Sequence, residues 1–321
     1  MSVDQGTPKS AKRDHGGGVD AAARRFGGTR DSWLDLSTGI NPLPYDVPDL
    51  PASDWTDLPD ENARLRLETA ARHFWNVPKG AAICAVPGAS AAIARIPLLA
   101  AADRVRIPEP TYNEHAAGFA AAGWQVGAQA GSAASVLVNP NNPDGRIWQA
   151  GDLDGALRVI DESFCDVTPE ATLMDQTTRP GTLILKSFGK FWGLAGLRLG
   201  FVIGDPALVH QLSAGLGPWA VSGPALRIGA LALEDQAWAD KTRERLQSDA
   251  ARLDQLMLNA GAEAIGGTTL FRLYDVANAA DWQMRLASHR IWSRVFPYNA
   301  RWFRLGLPAP DAWPRLERAL A

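Results

Sequence analysis

Ser187-Phe188-Gly189-Lys190-Phe191-Trp192-Gly193-Leu194-Ala195-Gly196-Leu197-Arg198-Leu199-Gly200 follows the apolar run Thr182-Leu183-Ile184-Leu185. A short apolar run that ends in a glycine-spaced loop reads as a buried strand and its exit. The loop carries one lysine and one arginine. An amine just past a buried strand is placed to condense with a carbonyl, and the arginine to clamp a phosphate. The glycines between them allow backbone to approach a ligand closely. Taken alone, Lys190 reads first as a solvated charge on a glycine-rich turn. A Walker-type phosphate loop is excluded, because Ser or Thr must follow its Gly-Lys and Phe191 follows Lys190 here.

Working outward, strand patterns at 82–86, 105–107, 124–126, 135–138, 156–160, 182–185 and 199–203 alternate with helical patterns at 89–101 and 114–122. An amphipathic helix is expected at 62–75. This alternation predicts an α/β domain with a mostly parallel sheet, whose ligands gather at the carboxyl ends of the strands. Residues 224–259 read as strongly helical. After them come a strand at 268–274, a helix at 279–288, short strands at 291–296 and 302–305, and a final helix at 312–320, which is the pattern of a smaller α/β domain. Residues 1 to about 14 are expected to be disordered.

The chain has 321 residues, 46% of them hydrophobic and 21% charged, enough apolar material for a large core. A net charge of -3 gives no footprint for nucleic acid or an anionic membrane. The two cysteines, Cys84 and Cys165, lack metal-ligand spacing, so no metal site and no disulfide framework are expected and a reducing cytoplasm fits. The polar first residues predict no signal peptide, and no window predicts a membrane span. Gly16-Gly17-Gly18-Val19-Asp20-Ala21 matches a loose dinucleotide fingerprint, but no strand precedes it.

Each remaining polar candidate stands just past a strand pattern. Pro87-Gly88-Ala89-Ser90 opens a helix and offers either an ordinary N-cap or an anion site from Ala89 N–H and the Ser90 hydroxyl. Tyr112 either stacks on a planar ligand or packs. Asn139-Pro140-Asn141-Asn142-Pro143-Asp144-Gly145 is a rigid turn, or it presents the Asn142 amide to a ligand oxygen. Asp161 closes a buried strand and needs a cationic partner, either a side chain or a protonated ring nitrogen.

Pyridoxal 5′-phosphate would engage all of them: an aldehyde for Lys190, a ring nitrogen for Asp161, a phenolic oxygen for Asn142, a flat face for Tyr112, and a phosphate for Ala89, Ser90, Ser187 and Arg198. The ordered set, over residues 15–307, resembles the fold-type I pyridoxal-phosphate enzymes of the aminotransferase class I/II family. The resemblance implies a large domain with a mostly parallel central sheet plus a smaller α/β domain. It divides the chain into an N-terminal segment, 1–36, that joins the small domain and the active site, a cofactor-binding domain, 37–245, and a C-terminal small domain, 246–321. It implies Lys190 and Asp161 as catalytic residues. Arg304, in Arg301-Trp302-Phe303-Arg304-Leu305-Gly306, matches the arginine that takes the substrate α-carboxylate.

Finer features narrow the branch. His15-Gly16-Gly17, Leu34-Asp35-Leu36-Ser37-Thr38-Gly39-Ile40-Asn41-Pro42 and Asp161-Glu162-Ser163-Phe164-Cys165-Asp166-Val167 are similar to decarboxylases of L-threonine O-3-phosphate in cobalamin biosynthesis. That likeness implies a phosphorylated amino acid as substrate, with His15, Gly39, Arg294 and Arg304 at its site, and a homodimer. His15 reads otherwise as a tail residue and Arg294 as a surface charge. The chain departs from the pattern at Leu58, where many relatives place a tyrosine that reaches the cofactor phosphate across the dimer. It departs also at Gly39, where some decarboxylases carry asparagine, at Gly18 and at Gly189. Two other readings stand beside the decarboxylase. One is an aminotransferase related to histidinol-phosphate aminotransferases, which shares every cofactor residue. The other is a non-catalytic scaffold in corrinoid assembly.

Overall fold

The computed structural model describes residues 13–321. The disorder expected for residues 1–12 lies outside them; Arg13 and Asp14, included in that expectation, are instead held by side-chain pairs to Glu114 and Arg294.

The chain opens with helix α1 (Val19–Phe26) and a two-residue strand β1 (Leu34–Asp35), then α2 (Ser53–Thr56) and α3 (Glu61–Phe74). Asp60 caps α3 by accepting from Ala63 N–H at 2.7 Å. Strands β2 (Ala82–Val86), β3 (Arg104–Arg106), β4 (Gln125–Gly127), β5 (Ala134–Val138), β6 (Leu157–Asp161), β7 (Thr182–Ser187) and β8 (Gly200–Gly204) form one sheet, in the order β2-β8-β7-β6-β5-β3-β4. Helices α4 (Ala89–Arg95) and α5 (Asn113–Ala121) connect its first strands. Only β8 runs against the others, paired antiparallel with both β2 and β7. Its first residue, Gly200, therefore lies beside Ser187 and Val86, the last residues of β7 and β2. This reversal brings the end of the 187–200 loop back to the edge where the parallel strands finish.

Strands β5 to β8 are largely apolar because both of their faces are covered, whereas β3 and the edge strand β4 are polar and more exposed. Val136, Val159, Leu183 and Val202 point into one core with Ile93 of α4 and Phe119 of α5, while Leu137, Ile160, Ile184 and Phe201 point into the other with Leu67 of α3. The same two-residue period separates two adjacent carboxylates. Asp161 faces His115 on the first side. Glu162 faces the second, where it takes Lys186 Nζ at 2.8 Å, Thr172 Oγ1 at 2.7 Å and Leu173 N–H at 2.7 Å. Such a buried charge persists only when paired and hydrogen-bonded in this way.

Helices α6 (Pro206–Leu216), α7 (Gly223–Glu234) and α8 (Gln236–Asn259) lead into a second sheet of β9 (Glu263–Thr268), β10 (Phe271–Asp275), β12 (Arg294–Phe296) and β13 (Asn299–Gly306), with α9 (Ala279–Ser288) and α10 (Trp313–Leu320). The separate strand β11 (Ile291–Trp292) pairs in parallel with β1, which fastens the N-terminal segment to this region. Among the described residues no helix is long and apolar enough to cross a membrane.

Four expectations are revised. The helix foreseen at 89–101 stops at Arg95 and gives way to a 3-10 turn at Ile96–Leu99, because Pro97 has no N–H to continue the ladder. The single helix over 224–259 is two, broken at Asp235, whose side chain caps α8 by accepting from Trp238 N–H at 2.9 Å. The strand at 268–274 is a hairpin whose first arm is hidden by Gly266 and Gly267, residues that carry no strand signal. The strand at 291–296 is divided at the buried Ser293, with its halves in different sheets.

Candidate active site

Asp161 ends β6 with its side chain almost entirely buried. Its Oδ2 lies 2.8 Å from His115 Nε2, and its Oδ1 accepts from Ser163 N–H at 3.0 Å and Ser163 Oγ–H at 2.6 Å. Burial pushes the carboxyl up, but the bond to His115, its charge and the two Ser163 donors outweigh burial and hold Asp161 below its ordinary range. A permanent negative charge thus stands at the carboxyl end of the central strand.

Lys190 lies just past β7. With Asp161, Ala89, Ser90, Tyr112, Asn142, Ser187 and Arg198 it lines a cavity of ≈ 130 Å³. Its side chain keeps some accessible surface, yet protein surrounds it. Burial first, and then the charge of Arg304, push the ammonium down to about 8, against the pull of Asp161. The amine has no hydrogen-bond or ion-pair partner among the described residues; its nearest aromatic neighbour is Phe164, with Nζ 5.2 Å from the ring centroid.

Arg198 takes a left-handed backbone conformation, φ 55°, which is uncommon for any residue but glycine. Its Nη1 donates to the Ala195 carbonyl at 3.0 Å. Gly88 leaves room for its guanidinium: a Cβ at 88 would sit 2.6 Å from Arg198 Nη2, and its φ of +83° also favours glycine. Ser90 and Ser187 complete this end of the cavity. Burial raises the Tyr112 phenol to about 12, so the ring contributes as a neutral wall.

A second cavity of ≈ 600 Å³ adjoins the first through Tyr112 and Asn142, which line both, and carries His15, Arg294 and Arg304. Arg304 is buried. Its Nη1 donates to Asn142 Oδ1, its Nη2 donates to the Ser37 carbonyl at 2.8 Å, and its Nε–H has no partner. Burial, and then the neighbouring Arg294, bring the guanidinium down to about 9. Among the described residues it pairs with no carboxylate. A buried cation without a counter-ion is costly, and an incoming anion would relieve it. Arg294 lies directly opposite Arg304 across β12 and β13. A larger cavity, ≈ 960 Å³, lies beside Asp60, Cys84, His210 and Trp219 and holds none of these residues.

Of the residues foreseen from sequence, only Gly39 lines neither of these two cavities. A Cβ there would stand 2.8 Å from Phe271 Cδ1 and 3.0 Å from Phe164 Cε1, so a larger residue requires both rings to move. Sequence reading missed His115 and Ser163, which set the charge of Asp161, and Asp14 and Glu114, which hold Arg294 and His15. Ser163 was within reach, since a serine two residues after an aspartate commonly makes this local bond. His115, inside a helix of small residues, carries no such signal.

The residues fit pyridoxal phosphate. They offer an unpaired amine, a buried carboxylate with one lone pair left over at a narrow cavity, and an arginine beside a glycine cradle. Comparison with known proteins agrees. The model of the family "Aminotransferase class I and II" matches residues 127–312. The chain is 41% identical to a threonine-phosphate decarboxylase of Sinorhizobium sp, over 94% of this chain and 95% of that protein. It is 37% identical to one of Pseudomonas aeruginosa, over 96% and 97%. Among solved structures, a histidinol-phosphate aminotransferase of Sinorhizobium meliloti in complex with pyridoxal-5′-phosphate shares the fold, with TM-score 0.82 and 18% identity over 99% of this chain and 97% of that one. By its motifs, its sheet order and these likenesses, the chain belongs to the aminotransferase class I and II family.

Proposed function

We propose that this protein is a pyridoxal-phosphate-dependent decarboxylase that converts L-threonine O-3-phosphate to (R)-1-amino-2-propanol O-2-phosphate, for the nucleotide loop of cobalamin. One observation carries the reading. Arg294 and Arg304 face each other across two paired strands and line one cavity next to Lys190. Like charges directly opposite destabilise a sheet. Arg304 has no carboxylate among the described residues and Arg294 has only that of Asp14, so a substrate with two anionic groups, a carboxylate and a phosphate, would suit the pair. The near full-length likeness to threonine-phosphate decarboxylases supports it.

When bound, pyridoxal phosphate supplies the electron sink for the pair left on Cα as CO₂ departs. The protein's own groups do the rest. Lys190 would hold the cofactor and would supply the acid that returns a proton to Cα. Its depressed pKa keeps a useful fraction of the amine neutral near pH 7. Asp161 keeps a negative charge against the ring nitrogen and so keeps that nitrogen protonated. Asn142 presents its amide to the ring oxygen, Tyr112 flanks the ring, and Ala89, Ser90, Ser187 and Arg198 take the cofactor phosphate. Arg304 would take the substrate carboxylate. Arg294 and His15 take the substrate phosphate. Gly39 leaves the space that Phe164 and Phe271 fill beside the site.

The finer assignments belong to the same reading. A homodimer is supported by the exposed Trp55, Leu58 and Trp219. Leu58 itself has no hydroxyl to offer a partner's cofactor phosphate. A cytoplasmic setting is supported by two buried, free thiols, Cys84 and Cys165.

The test is to incubate cofactor-loaded protein with L-threonine O-3-phosphate and no keto acid. Equal amounts of CO₂ and aminopropanol phosphate are expected. Conversion of the cofactor to its pyridoxamine form without CO₂ would instead identify an aminotransferase, and the lack of any cofactor absorption band would identify a scaffold. The Lys190 environment adds a second expectation. Only the neutral amine captures cofactor, so the rate at which apoprotein binds pyridoxal phosphate rises with pH and levels off above about 8. Stopped-flow absorbance reads it; a rate still climbing at pH 10 would mean that the lysine is not depressed.

A further inference from the structure

Arg294 does not meet its cavity bare. Its Nη1 donates to Asp14 Oδ1 at 2.5 Å and its Nη2 to the Asp14 carbonyl at 3.1 Å. Both residues line the ≈ 600 Å³ cavity. The surrounding backbone is fixed from several sides. Asn113 Nδ2 donates to the Asp14 carbonyl at 3.0 Å, Glu114 Oε1 lies at ion-pair distance from His15 Nε2, 2.7 Å, and Arg13 Nε, 3.1 Å, and Gly17 N–H donates to Ser37 Oγ at 2.7 Å. The Asp14 carboxylate, by contrast, has Arg294 as its sole bonded partner among the described residues. The Asp14 side chain is 46% exposed and that of Arg294 is 13% exposed. The guanidinium is therefore the fixed element of the pair, and the carboxylate can turn away about its own side-chain bonds without moving the chain.

We propose that Asp14 is a specificity-determining residue: its carboxylate occupies Arg294 as an intramolecular anion, and only a substrate group of higher charge displaces it. The proposal rests on the reading of Arg294 as the receiver of the substrate phosphate. A phosphate monoester carries close to two charges and three acceptor oxygens at neutral pH, against one charge and two oxygens for the carboxylate. It wins the guanidinium, although the displaced carboxylate stays near and lowers its affinity. An amino acid without a phosphate has nothing to offer Arg294 and leaves the pair closed. The device trades affinity for discrimination.

The experiment uses the holoenzyme, whose cofactor fills the Arg198 site, and three variants: Asp14→Asn, Arg294→Ala and the double variant. Asp14→Asn keeps size and removes charge. Its KM for L-threonine O-3-phosphate is expected to fall about two- to ten-fold, with kcat within about two-fold of the parent. The Kd for inorganic phosphate, measured by calorimetry, should fall in parallel. In the Arg294→Ala background the Asp14 change should have no effect on either. If Asp14→Asn leaves KM unchanged or raises it while Arg294→Ala weakens substrate binding, Asp14 supports Arg294 and does not compete for it, and the proposal fails alone. If Arg294→Ala leaves KM unchanged, Arg294 is not the phosphate site, and both readings fall together.

Discussion

Lys190→Ala is expected to abolish turnover, by more than about four orders of magnitude, while the apoprotein keeps or gains stability. The two effects have one cause. In the folded protein the ammonium is surrounded by protein, lies near Arg304 and has no bonded counter-ion, so it titrates at about 8. The unfolded chain holds the proton more tightly, so folding opposes protonation of this group. The sign follows from linkage: between the folded value near 8 and the ordinary value near 10.4, stability of the parent apoprotein rises with pH. Below pH 8 the parent carries the full cost of a buried charge, and alanine removes that cost. Activity, in contrast, loses both the attachment point and the acid. Thermal melts of both apoproteins at pH 7, steady-state rates and borohydride labelling check all three consequences. A variant with residual activity within a hundred-fold of the parent, or a label found on another residue, would remove Lys190 from its assigned role.

Asp161→Asn is expected to lower kcat by a factor on the order of 10³ with a smaller change in KM. The amide keeps the shape and an oxygen for Ser163, but it cannot hold a proton on the ring nitrogen. It also turns a donor toward His115 Nε2, which then has to accept. The same residue leaves a mark on stability. Its carboxyl titrates below the ordinary range in the folded protein because His115 and Ser163 outweigh the effect of burial. It therefore stabilises the fold above the ordinary carboxylate pKa, about 3.9, and that stabilisation is lost as pH falls through the lowered value. Asp161→Asn should flatten this acid limb in urea melts between pH 2.5 and 7. A full-strength acid limb in the variant would show that other carboxylates carry it.

How much of this was legible depended on whether a residue's role is written locally. Lys190, Asp161, Asn142 and Ser90 stand just past apolar runs, and strand period and exit place them at one edge without any three-dimensional knowledge. Arg304 was found by its motif, but its burial and its bond to Asn142, 162 residues away in sequence, could not be. His115 was illegible for the same reason: it meets Asp161 only because α5 packs over β6. Gly39 was placed at the substrate by resemblance, whereas its immediate neighbours are the rings of Phe164 and Phe271. Elements were mistaken where a single residue changed the hydrogen-bond pattern, as Pro97, Asp235 and Ser293 do.

The opposed carboxylates at the end of β6 have a consequence for how this chain can change. Asp161 and Glu162 differ by one methylene and by one step of the pleat, and that step alone sends one to the cavity and the other to Lys186. Deleting one residue inside β6 would shift the phase, present the glutamate to His115 and leave Lys186 with a mismatched partner. Most of the strand's apolar residues would exchange cores with little loss of hydrophobicity, so such a lineage could still fold into a similar sheet while losing its chemistry. Tolerance to substitution and intolerance to insertion or deletion should therefore diverge sharply over residues 157–160. Point changes there are graded in effect, and length changes are all or none.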